Sequence, residues 1–242
     1  MRPRSERFGA LVAVALTCAA AMPLAAQVSS GESLRTVRVG SGPWRVVLLH
    51  GYGAPGDDLV PVARTLASTV PGATFIVPAA PYPARGGGGR TGGGRVWYEL
   101  EQPDTDAQEA DAVARLDALV DALVAEGVPS EHVIVGGFSQ GAILSLDLAR
   151  VGRHRLGGVA LLSGRAVEHA HADDTRLASL PVFSAHGRRD ARIPFARGEA
   201  AVELARAAGA DVTFVPFDGV HEIPASVIDA LGAWLRARIA TR

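Results

Sequence analysis

The sequence predicts a single α/β domain built on a mostly parallel central sheet with helices on both faces. Three observations carry this. Apolar strand patterns alternate with helical ones along nearly the whole chain. Trp44–Leu49 and Val133 onward read as apolar runs, the mark of strands covered on both sides. The strand ends run into Gly-rich turns that carry polar residues, as expected where a ligand meets the carboxyl ends of parallel strands.

In chain order, Leu34–Val39 alternates and suits an edge strand. Trp44–Leu49 ends in His50-Gly51-Tyr52-Gly53, and Asp57 and Asp58 precede a helical stretch, Leu59–Val70, with Asp as its cap. Ala73–Val77 is a short strand. Pro78–Pro103 holds two glycine runs, Gly86–Gly89 and Gly92–Gly94, then Trp97 and Tyr98, with few regular signals. Ala110, Val113, Leu116, Val120 and Leu123 recur at helical spacing within Thr105–Glu126. A strand from Val133, a helix over Ala142–Val151 and strands over Leu156–Leu162 and Pro181–Ala185 follow. Helix Gly198–Ala208, strand Val212–Pro216 and helix Pro224–Ile239 close the chain, the last with proline early, where it is tolerated.

The chain has 242 residues and a net charge of −1, enough for one sizeable core and without the basic face that nucleic acid needs. Met1–Ala26 reads as a signal peptide: Arg2, Arg4 and Arg7, an apolar stretch Leu11–Ala21, then Leu24-Ala25-Ala26 before Gln27. The mature domain is then 27–242, exported to the periplasm or beyond, with no segment that stays in a membrane. Cys18, the only cysteine, lies in that leader, so the mature chain has no thiol. A lipoprotein acylated at Cys18 is the weaker reading, because Ala15 stands where leucine usually does.

The chemistry gathers at strand ends. Gly137-Phe138-Ser139-Gln140-Gly141 fits G-x-S-x-G between a strand and a helix, a sharp turn that lifts the serine hydroxyl clear of the sheet. Side chains at Gly137 or Gly141 would strike neighbouring backbone. Asp190 follows one strand and His221 another, so topology brings a serine, a carboxylate and an imidazole to one rim, in the order Ser139, Asp190, His221. The hydroxyl is a poor nucleophile without a base, the role of His221, and Asp190 would orient the imidazole. Asp218 is the rival carboxylate, set back because it lies three residues from His221 on one loop. Backbone N–H groups of Tyr52 and Gln140 are the expected oxyanion donors, with no role for the Tyr52 side chain. His50 and His186 precede glycines at strand ends and read as structural. His169 and His171 lack a third spaced ligand, so no metal is expected. The Gly86–Gly94 region lacks the phosphate-loop pattern and reads as a flexible loop.

These residues resemble the phospholipase/carboxylesterase group of small α/β-hydrolases, which includes acyl-protein thioesterases. The resemblance runs from about Trp44 to the end. It rests on Leu-Leu-His50-Gly-Tyr-Gly, Gly-Gly-Phe-Ser139-Gln-Gly-Ala, Leu-Leu-Ser-Gly164, His186-Gly-x-x-Asp190-x-x-Ile-Pro194 and Val-His221-Glu-Ile-Pro. It implies the α/β-hydrolase fold with little or no cap, no cofactor, and activity on esters of modest size, sometimes lysophospholipids or thioesters. Trp97, Gly53 and Ile193 are the expected pocket residues, and a homodimer is left open. The chain departs from the group at Trp97-Tyr98-Glu99, where Trp-Phe-Asp is usual, so substrate preference transfers least.

The expectation is an exported serine carboxylesterase for small to medium acyl esters. Its rivals are a feruloyl-type or polymeric-ester esterase with the same three residues, and a silent binding module on the same scaffold. Reaction of Ser139 with a fluorophosphonate separates the last from the others.

Overall fold

The computed structural model describes residues 33–85, 93–167 and 173–240. Residues 1–26 with Cys18, the glycines between 86 and 92, and His169 and His171 lie outside the described residues. The elements are β1 (Thr36–Gly40), β2 (Trp44–Leu49), α1 (Val60–Thr69), β3 (Ala73–Pro78), β4 (Tyr82–Pro83), β5 (Arg95–Val96), α2 (Thr105–Ala125), β6 (Val133–Phe138), α3 (Gln140–Val151), β7 (Gly158–Leu162), β8 (Pro181–Gly187), α4 (Phe195–Ala207), β9 (Asp211–Phe217) and α5 (Ala225–Ala240).

Seven strands form one sheet in the order β1-β3-β2-β6-β7-β8-β9. Within it only β1 is antiparallel, pairing with β3 at the edge; β3, β2, β6, β7, β8 and β9 run parallel. This is the α/β-hydrolase arrangement. The inner parallel strands are largely apolar because both faces are covered, and successive residues feed opposite cores, whereas the edge strand β9 carries exposed Asp211 and Thr213. Val47 and Leu49 of β2 join Leu116, Val120 and Leu123 of α2, Leu144 and Leu148 of α3, and Ala201 and Ala205 of α4. Val46 and Leu48 join Val60, Ala63 and Leu66 of α1, and Val227, Leu231 and Leu235 of α5.

Three local expectations need correction. Leu59, not an aspartate, occupies the cap of α1; the Val60 N–H is accepted by the Asp57 backbone carbonyl at 3.0 Å, and no side chain caps the helix. In α2 the buried stripe passes through Ala112, Leu116, Val120 and Leu123, while Ala110 is exposed. The long segment after β3 holds a small hairpin, β4 against β5, fixed to the β2 loop by an isolated bridge between Ala54 and Arg95. Two-residue strands are too short to leave a periodic signal.

Candidate active site

β6 and α3 meet at Ser139 with no intervening loop. The serine has φ 55° and ψ −115°, a region that L-residues rarely occupy. Its N–H donates to the Leu162 carbonyl of the neighbouring β7 at 2.9 Å, which ties the turn to the sheet. The flanking glycines are sterically required. A Cβ on Gly137 would lie 2.5 Å from the Leu49 carbonyl oxygen, and one on Gly141 would overlap the same carbonyl and sit 2.7 Å from the oxygen of His50. Helix α3 begins at Gln140, whose N–H belongs to the first turn and has no intrahelical acceptor.

Asp190 and His221 are joined through the loops after β8 and β9. The N–H groups of Arg188 and Arg189 donate to the carbonyls of Phe217 and Gly219, both at 2.9 Å, drawing the two loops together. His221 Nδ1 lies 2.7 Å from Asp190 Oδ2, with the other oxygen, Oδ1, accepting from the N–H groups of Arg192 and Ile193 at 2.8 and 2.9 Å. Burial would raise the Asp190 pKa, but the hydrogen bonds from His221 and from Ile193 and Arg192 outweigh it and hold the carboxyl below its ordinary range. Asp218 instead pairs with Arg189 and is exposed. The Phe138 ring packs 4.7 Å from the imidazole of His221. The hydrogen-bonded chain ends at His221, for the Ser139 hydroxyl makes no hydrogen bond among the described residues.

The β2 loop lies on the other side of Ser139. A Cβ on Gly51 would sit 3.4 Å from that of Ser139, so the loop passes close against the serine. His50 shapes it from below. Its Nδ1–H donates to the Gly51 carbonyl at 2.8 Å and its Nε2 accepts the Ala80 N–H at 3.0 Å, a neutral imidazole whose pKa burial lowers. The Tyr52 side chain has a partner that sequence reading missed: its hydroxyl donates to Glu99 Oε2 at 2.5 Å. Glu99 is 3% exposed and its other oxygen accepts the Arg85 N–H. This bond, with burial, pushes the Tyr52 phenol up to about 12.

A cleft of about 650 Å³ opens above these groups, bordered by Gly51, Tyr52, Tyr98, Leu100, Phe138, Ser139, Gln140, Ile143, Ile193 and His221, with Arg165 and Arg192 also facing it. Ile193 therefore lies where the sequence suggested. Trp97 does not line it. Its indole N–H donates to the His50 carbonyl at 3.0 Å and its backbone N–H to Gln140 Oε1 at 3.1 Å, which draw the ring to 0% exposure beneath the loop. Tyr98 and Leu100 form the wall in its place. Gln140 Nε2 donates to the Tyr98 carbonyl at 2.7 Å, so the residue after Ser139 grips the wall segment from both sides. Gly53 also stays out of the cleft, its N–H donating to the Arg95 carbonyl at 2.9 Å with φ at 75°.

A family model described as phospholipase/carboxylesterase matches residues 44–239. The chain belongs to the phospholipase/carboxylesterase family. Its similarity to a carboxylesterase of Arabidopsis thaliana, SOBER1, is 26% identity over 80% of this chain and 90% of that one. Acyl-protein thioesterase 1 of Emericella nidulans is 30% identical over 70% of this chain and 79% of the relative. Among solved structures, esterase PE8 superposes with a TM-score of 0.74 at 27% identity, covering 85% of this chain and 99% of that chain. The protein is a hydrolase of carboxylic esters. Among the described residues no three His, Cys, Asp or Glu side chains gather to hold a metal, and no helix is long and apolar enough to cross a membrane.

Proposed function

We propose that the protein is an exported serine carboxylesterase acting on small to medium acyl esters through Ser139, His221 and Asp190. The observation that carries this is the 2.7 Å contact between His221 Nδ1 and Asp190 Oδ2 on the wall of the cleft that also holds the strained Ser139. Asp190, kept ionised, fixes the imidazole with Nδ1 protonated, leaving Nε2 free to act as base. Ser139 Oγ attacks the ester carbonyl while His221 takes its proton. The tetrahedral oxyanion is met by the N–H groups of Tyr52 and Gln140, each worth about 3 kcal/mol in such sites. His221 then protonates the leaving alcohol, and the acyl-enzyme is hydrolysed by water that His221 activates. The Ser139–His221 hydrogen bond forms as substrate closes the gap, as in many free enzymes.

The test is hydrolysis of p-nitrophenyl esters of increasing acyl length by the wild type and by Ser139→Ala. Loss of roughly six decades in kcat is the scale for a nucleophilic serine. Equal activity of the two proteins removes Ser139 from the mechanism. Export rests on the leader-like Met1–Ala26 and is tested by the N-terminus of protein from the extracytoplasmic fraction: Gln27 supports cleavage, and an intact Met1 on cytoplasmic protein opposes it.

A further inference from the structure

Among the described residues Arg165 and Arg192 are the only permanently charged side chains that face the cleft, and no carboxylate lines it. Topology puts both on one side of Ser139. β7 and β8, which deliver them, lie to one side of β6, and β2, which delivers Tyr52, lies to the other. The Arg192 backbone N–H binds Asp190, so its side chain starts beside the Asp190–His221 pair. Arg165 and Tyr98 both face the cleft; burial pushes the Tyr98 phenol up, with Glu109 and Asp147 adding to the rise and Arg165 opposing it.

Among the described residues neither guanidinium is paired with an anion of the protein. Arg165 donates only to the neighbouring Ala166 carbonyl at 3.3 Å, and Arg192 makes no side-chain hydrogen bond or ion pair among the described residues. Described carboxylates in the region have partners of their own: Asp190 with His221, Glu99 with Tyr52 and the Arg85 N–H, Asp218 with Arg189, and Asp147 with Arg150. Two uncompensated cations over an apolar floor of Phe138, Ile143 and Ile193 raise the local concentration of anions and favour their binding.

We propose that the cleft selects esters that carry an anionic group, a carboxylate or a phosphate, close to the scissile bond, held by Arg165 and Arg192. Guanidinium forks match either oxyanion. The proposal rests on the serine esterase reading and refines its substrate class.

Three matched comparisons locate the charge. p-Nitrophenyl hydrogen glutarate against p-nitrophenyl valerate places a carboxylate in the acyl half. 4-Acetoxybenzoate against phenyl acetate places it in the alcohol half, and 4-acetoxyphenyl phosphate against phenyl acetate tests a phosphate there. The readout is the anionic-to-neutral ratio of kcat/KM within each protein, for wild type, Arg165→Gln/Arg192→Gln, and the control Arg189→Gln outside the cleft. Solvated charge pairs are worth up to about 1 kcal/mol each, so the double substitution should lower the ratio roughly tenfold in at least one comparison. The control should leave it unchanged. Raising salt from about 50 to about 500 mM should lower the wild-type ratio and leave that of the double variant nearly flat. Identical ratios for wild type and double variant in all three comparisons overturn the proposal, as does a salt-independent wild-type ratio. Failure of the esterase reading looks different: neutral esters would then be untouched, or cleaved equally by Ser139→Ala.

Discussion

Tyr52→Phe removes one hydroxyl and isolates the bond between the β2 loop and Glu99. In the wild type that hydroxyl lies 2.5 Å from a carboxylate that is 3% exposed. Hydrogen bonds to charged acceptors are worth about 1.5–3 kcal/mol. Because Tyr52 itself is 39% exposed, water can reach the vacated oxygen, and the low end, about 1.5 kcal/mol, is the expected loss. For a domain of this size that lowers Tm by roughly 4 °C. The pH dependence is specific. The phenol is raised from 10.0 to about 12, so its stabilisation is fully present below pH 10 and disappears as pH climbs through the folded value. Urea unfolding should therefore show a constant difference between wild type and Tyr52→Phe from pH 6 to 9 and a shrinking one above 10, with other tyrosines cancelling in the comparison. The same anchor steadies the backbone whose N–H is assigned to the oxyanion, so loss of about half of a ~3 kcal/mol donor interaction lowers kcat about tenfold. Glu99→Gln and the double variant complete a cycle that should show coupling between the two residues. Equal stability of Tyr52→Phe and wild type at pH 7, or a difference that does not narrow above pH 10, refutes the reasoning.

Gly141→Ala should be strongly destabilising, by 1–3 kcal/mol or more, because its Cβ meets the Leu49 and His50 backbone and cannot be relieved by a side-chain rotation; chemical denaturation reads this directly. Asp190 carries a lowered pKa, so its contribution to stability is complete above the ordinary value of 3.8 and is lost as pH falls below it. Wild-type stability should accordingly fall more steeply than that of Asp190→Asn as pH drops below the ordinary value of 3.8, and equal slopes would contradict the lowered pKa.

Much of this architecture can be read from residue order because local and global signals agree. β2 falls on Trp44–Leu49, and the strand-to-helix junction at Ser139 is written in the glycines its backbone requires. Asp190 and His221 are legible because parallel topology brings strand ends together, whatever their distance in the chain. The failures share one cause, partners remote in sequence or supplied by backbone. Glu99 meets Tyr52 across 47 positions, and Trp97 is pulled under the loop by bonds to His50 and Gln140, a burial that its glycine-rich surroundings do not announce. The aspartates before α1 looked like caps, yet the Asp57 carbonyl rather than a side chain receives the first helical N–H. Helix α4 starts at Phe195, earlier than its apolar pattern begins, with Pro194 at its N-cap, where the ring fixes φ near the observed −52°.

The most direct test of the central claim is intact-protein and peptide mass spectrometry after brief reaction with a p-nitrophenyl ester under acid quench. A single added acyl group on the peptide containing Ser139, accompanied by a burst of p-nitrophenol and absent from Ser139→Ala, is the predicted result. Rapid turnover with no burst and no acyl adduct at Ser139, or an adduct on another residue, would contradict it.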